Sequence, residues 1–159
     1  MTTARVESLL AKLEKGHRKT LEIFAALNPE QWAQIVYEDP HVWRVRELLA
    51  HFVSSEEALL KVAQDVAAGG PGAPAGFDYD AFNAQEQERL KDHSPRELLT
   101  ALDRARQATL AWVGTLDDDA LDRVGRHPAL GQVTLETMIL AIYGHQLMHM
   151  QDVRERLAG

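Results

Sequence analysis

Two of the seven histidines in this 159-residue chain, His145 and His149, stand four residues apart in the segment Gly144-His145-Gln146-Leu147-Met148-His149-Met150-Gln151. That segment lies inside an apolar-periodic stretch, Thr134 to Leu157, which reads as one long helix. Leu135, Met138, Ile142, His145 and His149 follow spacings of 3, 4, 3 and 4, so they share one helical face. Two imidazoles thus continue a core stripe where leucines are expected. His-x-x-x-His on a helix points both rings the same way, one turn apart, which suits two ligands of one divalent ion. Such a pair can equally be hydrogen-bonded structure, so a metal site requires a third ligand elsewhere.

Composition restricts what that ligand can be. The chain has no cysteine, which excludes disulfides, thiolate nucleophiles and Cys-ligated zinc or iron–sulfur sites; any metal must be held by His and carboxylate. A net charge of −7 argues against nucleic acid, whose binding is dominated by Lys and Arg contacts to phosphate. Hydrophobic content of 45% and charged content of 26% suit one globular domain over residues 1–159 with a real core. No apolar run approaches the roughly 18 residues of a membrane span, and no signal-peptide pattern opens the chain. The expectation is a cytoplasmic protein acting on a small molecule, with neither nucleic acid nor membrane as partner.

The helices that must position the histidines are readable in order. The first runs from Thr3 to Leu27 and carries His17 on its apolar face with Val6, Leu13 and Phe24. Asn28-Pro29-Glu30-Gln31 starts a short helix through Trp32, and Val36 to Val42 reads as loop. The second long helix spans Trp43 to Ala68, with Val45, Leu48, Leu49, Phe52, Leu59, Ala63 and Val66 as its stripe. His51 lies about 100° around from Phe52, on a flank shared with Ser55, Ala58 and Val62, whose small side chains leave room beside it. The alternative is a boundary histidine hydrogen-bonded to a neighbour. Gly69 to Gly76 is a linker, and Asp78 to Lys91 is a polar helix anchored by Tyr79 and Phe82. Ser94-Pro95-Arg96-Glu97 forms a capping box for the third long helix, which runs to Leu116. Arg106 sits on that helix's stripe, where a guanidinium needs an internal acid or an anionic ligand. Asp117-Asp118-Asp119 caps a short helix, Arg126 to Gly131 reads as loop, and no strand alternation is present. Four long helices predict an all-α four-helix bundle.

Bundle topology then bears on the histidines. With the second and fourth helices parallel, His51 and His149 fall about 20 Å apart; antiparallel, they come to one level, as does His17. The antiparallel arrangement is up-down-down-up and needs a crossover of about 35 Å between the second and third helices. Fully extended, the Gly69–Tyr79 stretch at about 3.3 Å per residue can just span it.

Trp43-Arg44-Val45-Arg46-Glu47-Leu48-Leu49-Ala50-His51 and Gly131-Gln132-Val133-Thr134-Leu135, leading into His145-x-x-x-His149, resemble the DinB/YfiT-like superfamily over nearly the whole chain. The resemblance implies the four-helix bundle with that crossover, often as a homodimer. It also implies a divalent metal, commonly nickel or zinc, held by His51, His145 and His149. Arg44 departs from the Ser or Thr common after the Trp, which weakens the helix cap. The Phe77-Asp78-Tyr79 to Asn83 stretch and Arg106 also resemble the thiol-dependent maleylpyruvate isomerase and bacillithiol-transferase branches. The expected function is therefore a metal-dependent enzyme that activates a low-molecular-weight thiol, its co-substrate, for S-transfer to an electrophile. His17 and Arg106 are candidates to shuttle a proton or orient an anionic substrate, and Glu47 is considered as an acceptor for His51. Alternatives are hydrolysis by metal-bound hydroxide, or a non-catalytic, metal-stabilised binding or dimerisation module.

Overall fold

Four long helices, three of them opened by a side-chain cap, make up most of the computed structural model, which describes residues Met1–Gly159. Thr3 accepts from the Val6 N–H to start α1, Ala4–Ala25. Asn28 and Gln31 cap each other reciprocally around α2, Pro29–Trp32. The next long helix, α3, is Val45–Ala67, and Arg44 before it makes no side-chain cap bond. Asp78 caps α4, Tyr79–Leu90, and Ser94 with Glu97 forms the capping box of α5, Pro95–Val113. Asp117 caps α6, Asp118–Leu121, and Thr134 caps α7, Leu135–Ala158.

The cross-helix contacts establish direction. Arg5 near the start of α1 bonds Glu136 near the start of α7 at 2.8 Å, so these two run parallel. Ala63 and Val66 late in α3 pack with Leu135 and Met138 early in α7, so α3 and α7 are antiparallel. Leu48 shares one core cluster with Leu98, and Val66 shares the other with Val113, which makes α3 and α5 parallel. The bundle is therefore up-down-down-up, as the crossover expectation has it.

The crossover itself is built differently from the extended linker predicted for Gly69–Tyr79. Gly72 is pinned near the end of α3 by a 2.9 Å bond to Asp65 and by backbone pairing with Arg126. Its φ of 86° and the approach of Arg126 O, 2.5 Å from where a Cβ would sit, make this a glycine position. The return climb is made by α4, which lies along α3: Gln87 donates to Glu47 O, and Arg46 to Leu90 O. A helix rises only about 1.5 Å per residue, but it satisfies its own backbone while doing so.

Two hairpins correct the expectation of no strands. Ile35–Tyr37 (β1) pairs antiparallel with Trp43–Arg44 (β2), so the stretch read as loop and the presumed first turn of α3 are partly strand. Val124–His127 (β3) pairs antiparallel with Gly131–Thr134 (β4) in the region read as loop. Alternating hydropathy was invisible because the strands are so short, and because β3 turns Gly125 and His127 inward, not apolar side chains. Gly125 is required there: a Cβ would lie 2.3 Å from Val66 Cγ2.

Between the two apolar half-cores lies a buried polar layer. Arg106, 1% exposed, makes a two-point contact with Glu56 at 2.7 and 3.0 Å and donates to Leu13 O at 2.8 Å. Thr109 and Gln146 also donate to the Glu56 carboxylate, each at 2.9 Å. Glu56→Ala leaves a buried guanidinium unpaired and is expected to cost about 3–5 kcal/mol in urea unfolding. The double variant Glu56→Leu/Arg106→Met, with both charges removed, should recover most of that loss.

Candidate metal centre

His51 lies in the second turn of α3, where the helix is buried on every side from Leu48 to Glu56 because β2, α4, α5 and α7 pack around it. His145 and His149 project from the middle of α7. Their placement differs from the expected core stripe in one respect. The buried face of α7 runs through Leu135, Met138, Ile142, Gln146, Met150 and Val153, and the two histidines stand half-buried beside it. Gln146 occupies the core position because Glu56 receives its amide. The histidines are thereby turned toward α3, and their rings meet His51.

The three Nε2 atoms converge. His51 Nε2 is 3.0 Å from His145 Nε2, which is 3.1 Å from His149 Nε2. One nitrogen from each ring falls within 4.8 Å of the others. Donors around a tetrahedral ion, each bonded at about 2.05 Å, stand about 3.3 Å apart, close to the separations of His145 from His51 and from His149. Trp43 packs against the His51 ring, with centroids 4.9 Å apart.

A relay behind His149 sets its tautomer. Tyr37 of β1 gives its phenolic proton to Asp152, and its oxygen lies 2.8 Å from His149 Nδ1. A hydroxyl already donating to a carboxylate accepts from the ring, so Nδ1 carries the proton and Nε2 keeps its lone pair for the cluster. Neither Tyr37 nor Asp152 was singled out from the sequence. Asp152, three residues after His149 on the same helix face, was the available signal. Glu47 makes no bond to His51; its Oε1 lies 3.8 Å from Arg44. His51 Nδ1 is buried without a partner.

The cluster opens onto a cavity of about 980 Å³ along the flank of α3 that carries Ser55, Ala58 and Val62. Trp43, Leu59, Phe77, Phe82 and Met148 supply much of its apolar wall, and Lys61, Arg89 and His127 are among its polar groups. His17 and Arg106 do not line it. His17, 5% exposed, bonds Asp103 at 2.8 Å through Nε2, and Arg106 is committed to Glu56.

Burial holds the cluster neutral. It pushes His51 down to about 3, with His145 and His149 adding repulsion, and His145 down to about 4, with His149 and His127 adding to the effect. His149 is also lowered by burial, against the opposing pull of Asp152. Neutral imidazoles are the form that binds metal, so this donor set fits a divalent ion near pH 7 without prior loss of protons.

Two outcomes follow for purified protein. Tyr37→Phe removes the acceptor of the His149 Nδ1 proton; zinc affinity by competition with a chelator should drop about 10–100-fold while the helical circular dichroism is kept. In the metal-free protein, the unfolded chain takes up histidine protons below pH about 6.5, whereas the folded His51 and His145 do so only near 3 and 4. The unfolded state thus binds more protons in between, and stability must decline as pH falls from 6.5 toward 4. Urea midpoints in EDTA should show this decline, and His51→Phe should make it shallower.

Comparison with known proteins bears on the fold. No curated protein sequence matches the chain. Among solved structures, YfiT from Bacillus subtilis, described as a probable metal-dependent hydrolase with an unusual four-helix bundle topology, superposes with a TM-score of 0.76 at 19% identity, over 99% of this chain and 90% of that one. An uncharacterised protein from Escherichia coli UTI89 gives a TM-score of 0.76 at 16% identity, over 98% of this chain and 94% of that one. The mycothiol-dependent maleylpyruvate isomerase gives 0.74 at 18% identity, over 96% of this chain but 63% of that one. At these identities the likeness establishes the shared fold. The sequence profile of the DinB superfamily matches residues 12–153, and the chain belongs to that superfamily.

Proposed function

We propose that this protein is a metal-dependent enzyme whose ion, nickel or zinc, is held by His51, His145 and His149. The observation that carries this reading is the convergence of three neutral Nε2 atoms at the wall of an apolar cavity. A closed structural zinc site uses four protein ligands, whereas three with the remaining position facing a cavity is the catalytic pattern. A divalent ion bound there supplies Lewis acidity, stabilising the anion of a thiol or water at neutral pH.

The substrate we propose is a low-molecular-weight thiol, with transfer of its sulfur to an electrophilic small molecule. In that reaction the S–H proton is lost, an S–C bond forms at the electrophile, and the leaving group departs with the electron pair. The chain contributes no cysteine of its own. A cavity of about 980 Å³ is at the upper end of the usual range for small-molecule sites, which suits two organic reactants side by side. Its apolar walls exclude water that would compete with the thiolate. Tyr37 and Asp152 hold His149 in its ligating tautomer. Hydrolysis, with water in place of the thiol, is the second reading, supported by the description of the similar YfiT.

The test is elemental analysis of tag-free protein beside His149→Ala, followed by turnover assays of the loaded parent. Near-stoichiometric nickel or zinc is expected in the parent and at least a tenfold loss in the variant. Cysteine addition to an activated aryl halide, monitored beside hydrolysis of a nitrophenyl ester, separates transfer from hydrolysis. A parent that stays empty after exposure to both ions overturns the metal reading. Loss of fold on chelation, without either turnover, would make the ion structural.

A further inference from the structure

Beyond the three clustered rings, His127 also lines the cavity, and the reading above assigns it no role. It is 8% exposed and closes β3. Its Nδ1 accepts two backbone N–H groups of its own turn, from Ala129 at 3.0 Å and Leu130 at 3.1 Å. A nitrogen that accepts twice carries no proton, so the proton sits on Nε2. That Nε2–H is buried and has no hydrogen-bond partner. Burial also lowers the pKa of His127, which keeps the ring neutral and the tautomer single. The backbone around it is rigid: His127 is registered opposite Gly131, and Arg126 is bonded to both Pro71 and Ala73.

We propose that His127 is a ligand-positioning residue, whose neutral Nε2–H donates to a carboxylate or carbonyl oxygen of an aromatic small molecule bound beside the three-histidine cluster. The aromatic body is what Trp43, Phe77 and Phe82 of the same cavity would pack against. An orphan donor in an apolar wall is costly until an acceptor meets it, so it discriminates strongly between ligands that carry one and ligands that do not. The exposed side chains Leu130 and Met148 share the cavity lining with His127. The inference rests on the proposed function in one respect only: that this cavity is the substrate site.

The probes are benzoate and toluene, the same ring with and without an acceptor, titrated into ¹⁵N-labelled full-length protein in EDTA. The parent should show a pyrrole-like Nε2 and a pyridine-like Nδ1 for His127, and benzoate should shift the Nε2–H signal. His127→Asn keeps an oxygen to receive the turn's N–H groups but has no donor at the Nε2 position. It should weaken benzoate about tenfold and leave toluene within about twofold. Equal weakening of both ligands, an Nδ1–H tautomer, or no benzoate binding by the parent would each overturn the proposal. If His127→Asn does not fold, the Nε2–H response of the parent to benzoate decides. Because the titration is metal-free, it stands or falls apart from metal loading. A loaded protein with an unresponsive His127 would sink this inference alone, and an unloadable protein with the benzoate response would sink only the metal reading.

Discussion

The Glu56 carboxylate connects all four long helices at one level. It sits on α3, receives Arg106 and Thr109 from α5 and Gln146 from α7, and through Arg106 reaches the Leu13 carbonyl of α1. Apolar faces tolerate rotation and sliding, because many packings bury similar area. A charged network with fixed donors and acceptors tolerates one arrangement only. Since Gln146 is drawn inward, its neighbour His145 is turned aside toward α3, and His149, one turn on, follows it. The register of the histidine cluster is thus a consequence of the polar layer. Such a pair contributes little net stability after desolvation, and its effect here is on geometry.

Around the cluster, each imidazole is treated differently by its surroundings. His149 is held by the Tyr37 hydroxyl, itself bonded to Asp152, His51 packs at a tilt against Trp43 with its Nδ1 unpartnered, and His145 faces the cavity. One firmly oriented ligand and two held by packing allow small adjustments around an ion, in keeping with nitrogens now 3.0 and 3.1 Å apart. Three neutral donors also leave the full charge of a divalent ion available to an incoming anion, which a carboxylate ligand would partly cancel.

Much of this was legible in the sequence because it rests on local chemistry. Thr3, Asn28, Ser94, Asp117 and Thr134 announce helix starts through side-chain bonds that span only three residues. The level of His51 against His145 and His149 follows from helix rise and from the position of the Gly-rich linker. What escaped depends on tertiary placement. Tyr37 and His127 sit on strands whose pairing partners lie beyond short turns, and neither strand carries alternating apolar residues. Arg106 and His17 were unusual on core stripes for a real reason, but their partners, Glu56 and Asp103, lie 50 and 86 residues away. A buried charge signals that a partner exists without saying whether it is a ligand or another side chain.

That last distinction shapes how the cavity can recognise a molecule. With Arg106 neutralised inside the bundle, the cations left to the cavity are on its exposed side. Lys61 is exposed and has no carboxylate partner, while Arg89 is shared between Glu57 and Glu86. Deeper in, the polar groups are uncharged imidazoles and the hydroxyls of Ser54 and Ser55 amid apolar walls. Charge at the mouth, where Lys61 and Arg89 stand beside Glu57 and Glu86, is nearly balanced and is screened by solvent, so it adds little discrimination. Hydrogen bonding in the interior acts only at contact and penalises a mismatched ligand through desolvated, unpaired groups. Selectivity in this cavity therefore belongs to the neutral interior, where a ligand must match groups it touches.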